Sequence, residues 1–175
     1  MPLLGVLGAP VTLACGAFGT TTLLFTLAFP VSALSAYALI SRWVRWRPAA
    51  FAGGLLYGFS PSLVAQGGSH LNLVFVPLPP LIFLVLDEVA SGRPRRAWPW
   101  AVALASLCAA QFLISAEILL SAAVVGAIGL GVAAAVNRDA ARERRKFVTR
   151  AIGIAAATTA LLLAYPLWLL AAGPG

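Results

Sequence analysis

The sequence predicts an all-α, polytopic helical membrane protein with about six transmembrane helices and an N-terminal helix that is interfacial or partial. Of its 175 residues 61% are hydrophobic and only 10% are charged, whereas about a quarter of the residues in a soluble domain are charged. Several apolar runs approach the ~20 residues that a helix needs to cross a bilayer. The twelve basic residues fall in three clusters between these runs. These observations together exclude an ordinary soluble domain.

Six segments of a single transmembrane domain, residues 1–175, are predicted to span the membrane. They are residues 20–41, 49–65, 71–90, 97–113, 116–136 and 151–170. The stretch 97–136 would be ~60 Å long as one helix, about twice the hydrocarbon thickness, so it is predicted to be two spans with a tight reversal near 113–117. Residues 3–18 fall short of a span and are interrupted by Pro10 and glycines. They are predicted to form an interfacial or re-entrant helix, or the end of a span.

Proline and glycine indicate where the spans are irregular or closely packed. Pro30 is predicted to kink the first span because it removes a backbone donor. The glycines of the second span predict close helix packing in lipid, and Ser60 with Pro61 predicts a break near its far end. Three prolines within residues 77–80 predict a broken helix. Irregular backbone at that depth is tolerated only inside protein or beside a wet cavity, and we expect this segment to line a site.

The basic clusters predict how the chain is oriented in the plasma membrane. They comprise residues 42–47, 93–96 and 138–150, and the last is predicted to be a short amphipathic helix on the membrane surface. Alternating passage through six spans puts all the basic residues on one face, which the positive-inside rule makes cytoplasmic. The polar segment 66–72 and the turn at 115–117 then lie on the extracytoplasmic face. Because topology accounts for the basic composition, no nucleic-acid partner is predicted.

The candidate site residues are polar side chains on this predicted outer face, and we expect them to bind substrate. They are His70, Asn72, Gln66, Glu117 and Gln111. His70, the only histidine, could donate to a phosphate or ligate a metal, or it could be a loop residue bonded to backbone. Glu117 could accept a substrate hydroxyl, act as a general base or ligate a metal, or it could pair with His70 or a loop amide. No spacing typical of zinc, nucleotide or nucleophile sites is present, and no metal ligand is assigned.

Several short motifs follow one another in an order that resembles a known family. Residues 53–61 read Gly-Gly-Leu-Leu-Tyr-Gly-Phe-Ser-Pro, residues 70–73 read His-Leu-Asn-Leu, and residues 77–78 read Pro-Leu. This succession resembles bacterial GT-C superfamily membrane glycosyltransferases, and the resemblance extends to residues 37–39 and 111–117. It implies a polytopic enzyme that takes a sugar from a polyprenyl-phosphate carrier on the extracytoplasmic face and transfers it with inversion at the anomeric carbon.

The resemblance implies site residues and partners, and it leaves the catalytic residue unknown. His70 and Asn72 match the family's motif and are expected to contact phosphate or sugar. The implied partners are membrane lipid and the polyprenyl-phosphate-linked sugar. The family has a catalytic aspartate in its first outer loop, whereas no acidic residue precedes Asp87 here. Both chain ends look cut, which predicts a fragment of a longer protein that would supply this acid and any divalent metal. The cofactor is therefore unknown.

Two other classes of function stay open from the sequence. A transporter or flippase segment would use the broken helix at 77–80 as part of a binding site near the membrane midplane. A non-catalytic membrane scaffold would account for the missing outer aspartate. The oligomeric state is not predicted.

Overall fold

The protein is helical throughout the residues that its structure, a computed structural model, describes, which are 1–91, 96–166 and 168. These ranges contain no strand. The helices are α1 Pro2–Ile40, α2 Arg47–Gly58, α3 Pro61–Gln66, α4 Leu71–Val74, α5 Leu78–Ser91, α6 Ala97–Ile114, α7 Ala116–Val136 and α8 Arg138–Leu162. The predicted all-α class is confirmed. Four stretches are long and apolar enough to cross a membrane, namely α1, α4 with α5, α6 and α7.

The predicted number of six spans is not confirmed. The segment 49–65 is divided between α2 and α3, of 12 and 6 residues, which meet at the predicted break beside Ser60 and Pro61. Of the segment 151–170, residues 151–162 belong to α8, which begins at Arg138, and residues 167, 169 and 170 lie outside the described residues. Arg93 and Arg95 of the second basic cluster also lie outside them. The short surface helix predicted at 138–150 is instead the first half of α8.

Helix α1 folds back on itself at Gly16. Gly16 has φ 75° and ψ 172°, a backbone conformation essentially restricted to glycine. The side-chain oxygens of Thr12 and Thr20 are 2.8 Å apart, although eight residues of straight helix are ~12 Å long. A Cβ added to Gly8 would be only 2.6 Å from Cγ2 of Thr20. The first limb therefore packs along the second. The backbone leaves the helical region at Gly16 and not at Pro30, where a kink was predicted.

Helix α2 packs with its backbone almost in contact with the backbone of α1. A Cβ on Gly54 would be 2.7 Å from the carbonyl oxygen of Ala33. A Cβ on Gly58 would be 2.7 Å from both the backbone nitrogen of Ala33 and the carbonyl oxygen of Phe29. Small residues one helical turn apart allow the two helix backbones to approach closely, and helix association in lipid depends on such close packing. The close packing predicted from the glycines is confirmed.

The described residues form two compact units. The first comprises Met1–Leu84 with Ala110–Ala122, and the second comprises the described residues of Val85–Ala109 and Ala123–Gly175. In the second unit the Thr159 hydroxyl of α8 donates to the carbonyl of Ala105 in α6, over 3.4 Å. Ala151 and Ala155, on the same face of α8, are buried, as is Ala105. Small residues thus bring helices together in this unit as well.

Helix α7 presents a long apolar surface. Only Ala122 and Gly126 are buried along it, whereas Leu120, Ile128 and Val132 are 67%, 61% and 58% exposed. A continuous apolar surface of this kind is unfavourable in water and suits contact with lipid. The exposure of α7 is therefore consistent with a membrane protein.

The substitution Gly58→Ala should destabilise the first unit by about 1–3 kcal/mol, the usual cost of overpacking a close contact. The added Cβ would meet backbone atoms of α1, which cannot move independently of the helix. Gly53→Ala is the matched control because its Cβ would meet only the flexible end of Ile40, Cδ1 at 2.8 Å. The free energy of unfolding, measured in detergent micelles by circular dichroism, checks both. Equal stability of the two variants would contradict a backbone contact at Gly58.

Candidate functional site

The polar segment 66–72 forms a compact turn between α3 and α4. The backbone N–H groups of Ser69 and His70 both donate to the carbonyl of Gln66, each over 3.1 Å. The carbonyl of His70 then accepts from Leu73 and Val74, at 2.9 and 3.2 Å, and so begins α4. The backbone of the segment thus has fixed partners. Its candidate side chains differ in exposure, because His70 is exposed while Gln66 and Asn72 are half-buried.

The His70 ring has one partner, Ser69. The Ser69 hydroxyl lies 2.9 Å from Nδ1 of His70. When the hydroxyl donates to Nδ1, the neutral ring carries its proton on Nε2, the tautomer in which Nε2 is a donor. The described chain offers no hydrogen-bond partner to Nε2. An exposed imidazole with one nitrogen fixed and the other available suits recognition of an anionic oxygen.

Aromatic packing on α1 positions the start of this segment. A Cβ on Gly67 would be 3.0 Å from Cζ of Phe29, so the turn lies directly against that ring. Phe29 stacks on Phe59, with 5.7 Å between the ring centroids and 18° between the planes. Because Phe59 precedes α3, the two rings fix both ends of that short helix on α1.

The helix is broken directly after α4, as the prolines predict. Residues 75–77 separate α4 from α5, and Pro80 has no N–H to donate to the carbonyl of Val76 four residues earlier. The Tyr57 hydroxyl of α2 supplies the missing donor, over 3.0 Å. Val76 is 5% exposed and Pro77 is also buried. The broken backbone is therefore held inside protein, the first of the two surroundings that irregular backbone tolerates in a membrane.

The second polar segment lies at the break between α6 and α7. Ser115 separates the two helices, which is where the polar residues predicted the end of one span and the start of the next. Its N–H donates to the carbonyl of Gln111 over 2.7 Å, and its own carbonyl accepts from Leu119 and from Nε2 of Gln111, at 3.2 and 3.4 Å. Its Oγ accepts from the Ile118 N–H at 3.5 Å. Ser115 therefore caps α7, and the Gln111 amide supports the cap.

Gln111 has a buried acceptor without a partner. Its side chain is 0% exposed, and Oε1 makes no hydrogen bond within the described chain. Such a group costs about 1–3 kcal/mol if it stays unpaired, and native structures contain few of them. The unpaired oxygen marks this break as a place where a hydroxyl donor would be stabilised.

Glu117 is exposed in the first turn of α7. A carboxylate there is favoured by the partial positive charge of the helix N-terminus. In the described part of the chain no hydrogen bond or ion pair joins Glu117 to His70, so the pairing considered from the sequence is not formed.

An apolar cluster brings the two polar segments to one place. Leu71, between His70 and Asn72, packs with Ile114, which precedes Ser115, and with Leu4 from the first limb of α1. Leu71 is 9%, Ile114 4% and Leu4 2% exposed. All five candidate residues therefore lie in the first unit, on segments that share one core. Their side chains are not joined to one another by hydrogen bonds in the residues that the structure describes.

The sequence did not indicate the roles of Tyr57, Ser69 and Ser115. For Tyr57 the sequence did contain one signal. Pro80 cannot donate a hydrogen bond to the carbonyl of Val76, so that carbonyl needs a donor from elsewhere in the chain. Within the described ranges, no three His, Cys, Asp or Glu side chains converge as metal ligands would. Comparison of the chain with protein families, with curated proteins and with solved structures finds no match.

Replacing Tyr57 with Phe should lower the free energy of unfolding by about 1–3 kcal/mol, because it leaves a buried carbonyl unpaired. Tyr37→Phe is the control. It keeps the edge contact of that ring with Phe51, at 6.4 Å between centroids, and removes a hydroxyl that makes no hydrogen bond in the described chain. We expect the control to change stability by less than about 0.5 kcal/mol. Denaturant unfolding in micelles measures both, and equal effects would show that the hydroxyl of Tyr57 contributes nothing.

Proposed function

We propose that this chain forms part of an integral-membrane glycosyltransferase that takes a sugar from a polyprenyl-phosphate carrier. The observation that carries the proposal is the apolar cluster that holds the His70–Asn72 motif and the Gln111–Glu117 segment on one core. These are two of the segments on which the resemblance to GT-C glycosyltransferases rests. They are far apart in sequence, and a shared binding site requires them to be close in space.

The chemistry of the two segments suits the two halves of such a donor. Glycosyl transfer breaks the bond between the anomeric carbon and the carrier phosphate, so negative charge grows on the departing phosphate as the acceptor oxygen attacks. His70, through Nε2–H, and the Asn72 amide are donors that stabilise this charge. Glu117, exposed in the first turn of α7, and the buried Gln111 oxygen, which has no partner in the described chain, are the acceptors for sugar hydroxyls. The general base and any divalent metal come from outside this chain.

Transport is the second candidate function, and the broken helix between α4 and α5 favours it. Transporters commonly use unwound helix segments to bind cargo. The carbonyl of Val76 already accepts a hydrogen bond from Tyr57, so only one of its two lone pairs is left for a cargo ion. We therefore place transport second.

The proposed site requires the polar segments to face the outside of the cell and the basic clusters to face the cytoplasm. Single cysteines introduced at His70 and Lys146, both exposed, in a chain whose Cys15 and Cys108 have been replaced by alanine, test this orientation. A membrane-impermeant maleimide should label position 70 on intact cells and position 146 only after permeabilisation. Labelling of both positions from the same side would exclude the proposed orientation.

In the full-length protein His70→Ala and Asn72→Ala should each reduce sugar transfer by about tenfold or more, because a hydrogen bond to a charged group is worth about 1.5–3 kcal/mol. The assay uses membranes supplied with a polyprenyl-phosphate-linked radiolabelled sugar and follows loss of label from the lipid. Ser62→Ala, an exposed change in α3, is the matched control.

Unchanged transfer in His70→Ala would remove that residue from the site. Equal loss in Ser62→Ala would attribute the effect to general damage. A wild-type protein that transfers no sugar from such carriers would favour the transporter or the scaffold.

A further inference from the structure

A groove of about 880 Å³ lies within the second unit, where α5 and α7 end and α8 begins. Its walls are the C-terminal ends of α5 and α7 and the first half of α8. Both α5 and α7 belong to stretches that are apolar enough to span a membrane. The groove therefore lies where the hydrocarbon-facing part of these helices gives way to charged sequence. Its volume is in the range of small-molecule sites.

The groove has a strong excess of positive charge. Four arginines line it, namely Arg138, Arg142, Arg144 and Arg145, together with one carboxylate, Asp87. The arginine at 144 is held in place, since its guanidinium donates to the carbonyl of Ser91 at the end of α5. The other three arginines are exposed. Arginine presents several N–H donors in a planar fork that matches phosphate oxygens.

The basic residues that line the groove and the acidic residues of α8 lie on different faces of that helix. Arg138, Arg142 and Arg145 follow a spacing of four and three residues, which keeps them on one face, and all three line the groove. Asp139 and Glu143, the acidic residues of this helix, are exposed and are not part of the groove wall. The basic face is therefore not neutralised by its own helix.

Most of the remaining wall of the groove is apolar, apart from Ser91, Asn137 and Thr149. Leu130 and Ala134 contribute from α7, and Val148 and Ile152 contribute from α8, beyond the arginines. A free inorganic anion would gain nothing from these side chains. A ligand with an anionic head and hydrocarbon chains would contact both parts of the groove, because basic pockets at the ends of transmembrane helices suit lipid headgroups.

We propose that this groove binds the headgroup of an anionic phospholipid. The phosphate lies among Arg138, Arg142 and Arg145, and the first carbons of the acyl chains lie along Leu130 and Ile152. This binding site is separate from the proposed glycosyltransferase site and does not rest on it, because every residue of the groove belongs to the second unit.

The test measures lipid binding to the full-length protein in detergent micelles by native mass spectrometry, with phosphatidylglycerol as the probe and phosphatidylcholine as the neutral comparison. The wild-type protein should retain phosphatidylglycerol preferentially. The double variant Arg142→Gln/Arg145→Gln should raise the Kd for phosphatidylglycerol by about ten- to thirtyfold.

The control is Lys146→Gln/Arg150→Gln, which removes the same charge from residues of the same helix that do not line the groove. We expect its Kd to stay within about twofold of wild type. If the double groove variant does not fold, Arg145→Gln alone should still weaken binding by more than the control.

Equal weakening in the groove and control variants would reduce the effect to overall surface charge and overturn the proposal. Equal retention of the two lipids by the wild-type protein would do the same. Inorganic phosphate at the same concentration should not displace phosphatidylglycerol. If it does, the ligand is a free phosphate and the assignment to lipid is wrong.

Discussion

The direct contact between the backbones of α1 and α2 is the interaction on which the first unit depends. Gly54 and Gly58 lie against Ala33, because a Cβ at either position would be 2.7 Å from a backbone atom of that residue. In lipid there is no gain from burying apolar surface, so close packing and hydrogen bonds hold helices together. The same α1 supplies Leu4 to the apolar cluster and Phe29 to the turn at Gly67. Loosening this contact would displace both supports of the polar segments.

Three interruptions of helices in the first unit are each accompanied by a polar side chain that replaces a lost backbone partner or joins the two sides. Thr12 and Thr20 bond across the reversal at Gly16, Tyr57 donates to the carbonyl freed by Pro80, and Gln111 bonds to the carbonyl of Ser115. Unpaired backbone groups are costly without water. Two of these breaks lie next to the candidate binding segments, so the groups that repair the backbone also position the polar side chains.

The sequence predicts some of these features well and others not at all. Helices α6 and α7 were predicted to within one residue because forty residues with a single charge, Glu117, exceed one membrane thickness and polar residues mark the division. The reversal at Gly16 could not be located among several nearby glycines, because it depends on contacts of Gly8 and Thr12 with Thr20. The first half of α8 was predicted to be a separate helix because the charged residues of this stretch end at Arg150. The residues that follow Arg150 continue the helix, because neither a proline nor a glycine comes directly after it. For the site, the sequence identified the polar residues, but only packing shows that Leu71 and Ile114 share a core.

The arrangement of charge on α8 requires an explanation beyond membrane topology. The positive-inside rule concerns the number of basic residues near a span, and acidic residues have little effect on it. Topology alone would therefore allow Asp139 and Glu143 on any face of the helix. They are instead absent from the face where Arg138, Arg142 and Arg145 line the groove, while Lys146 and Arg150 lie outside the groove with the acids. A bound anion distinguishes the two faces of α8, since a carboxylate on the arginine face would add to the repulsion from Asp87, the one carboxylate that lines the groove. The separation of charge is thus what a phosphate-binding surface requires and what an orientation signal does not.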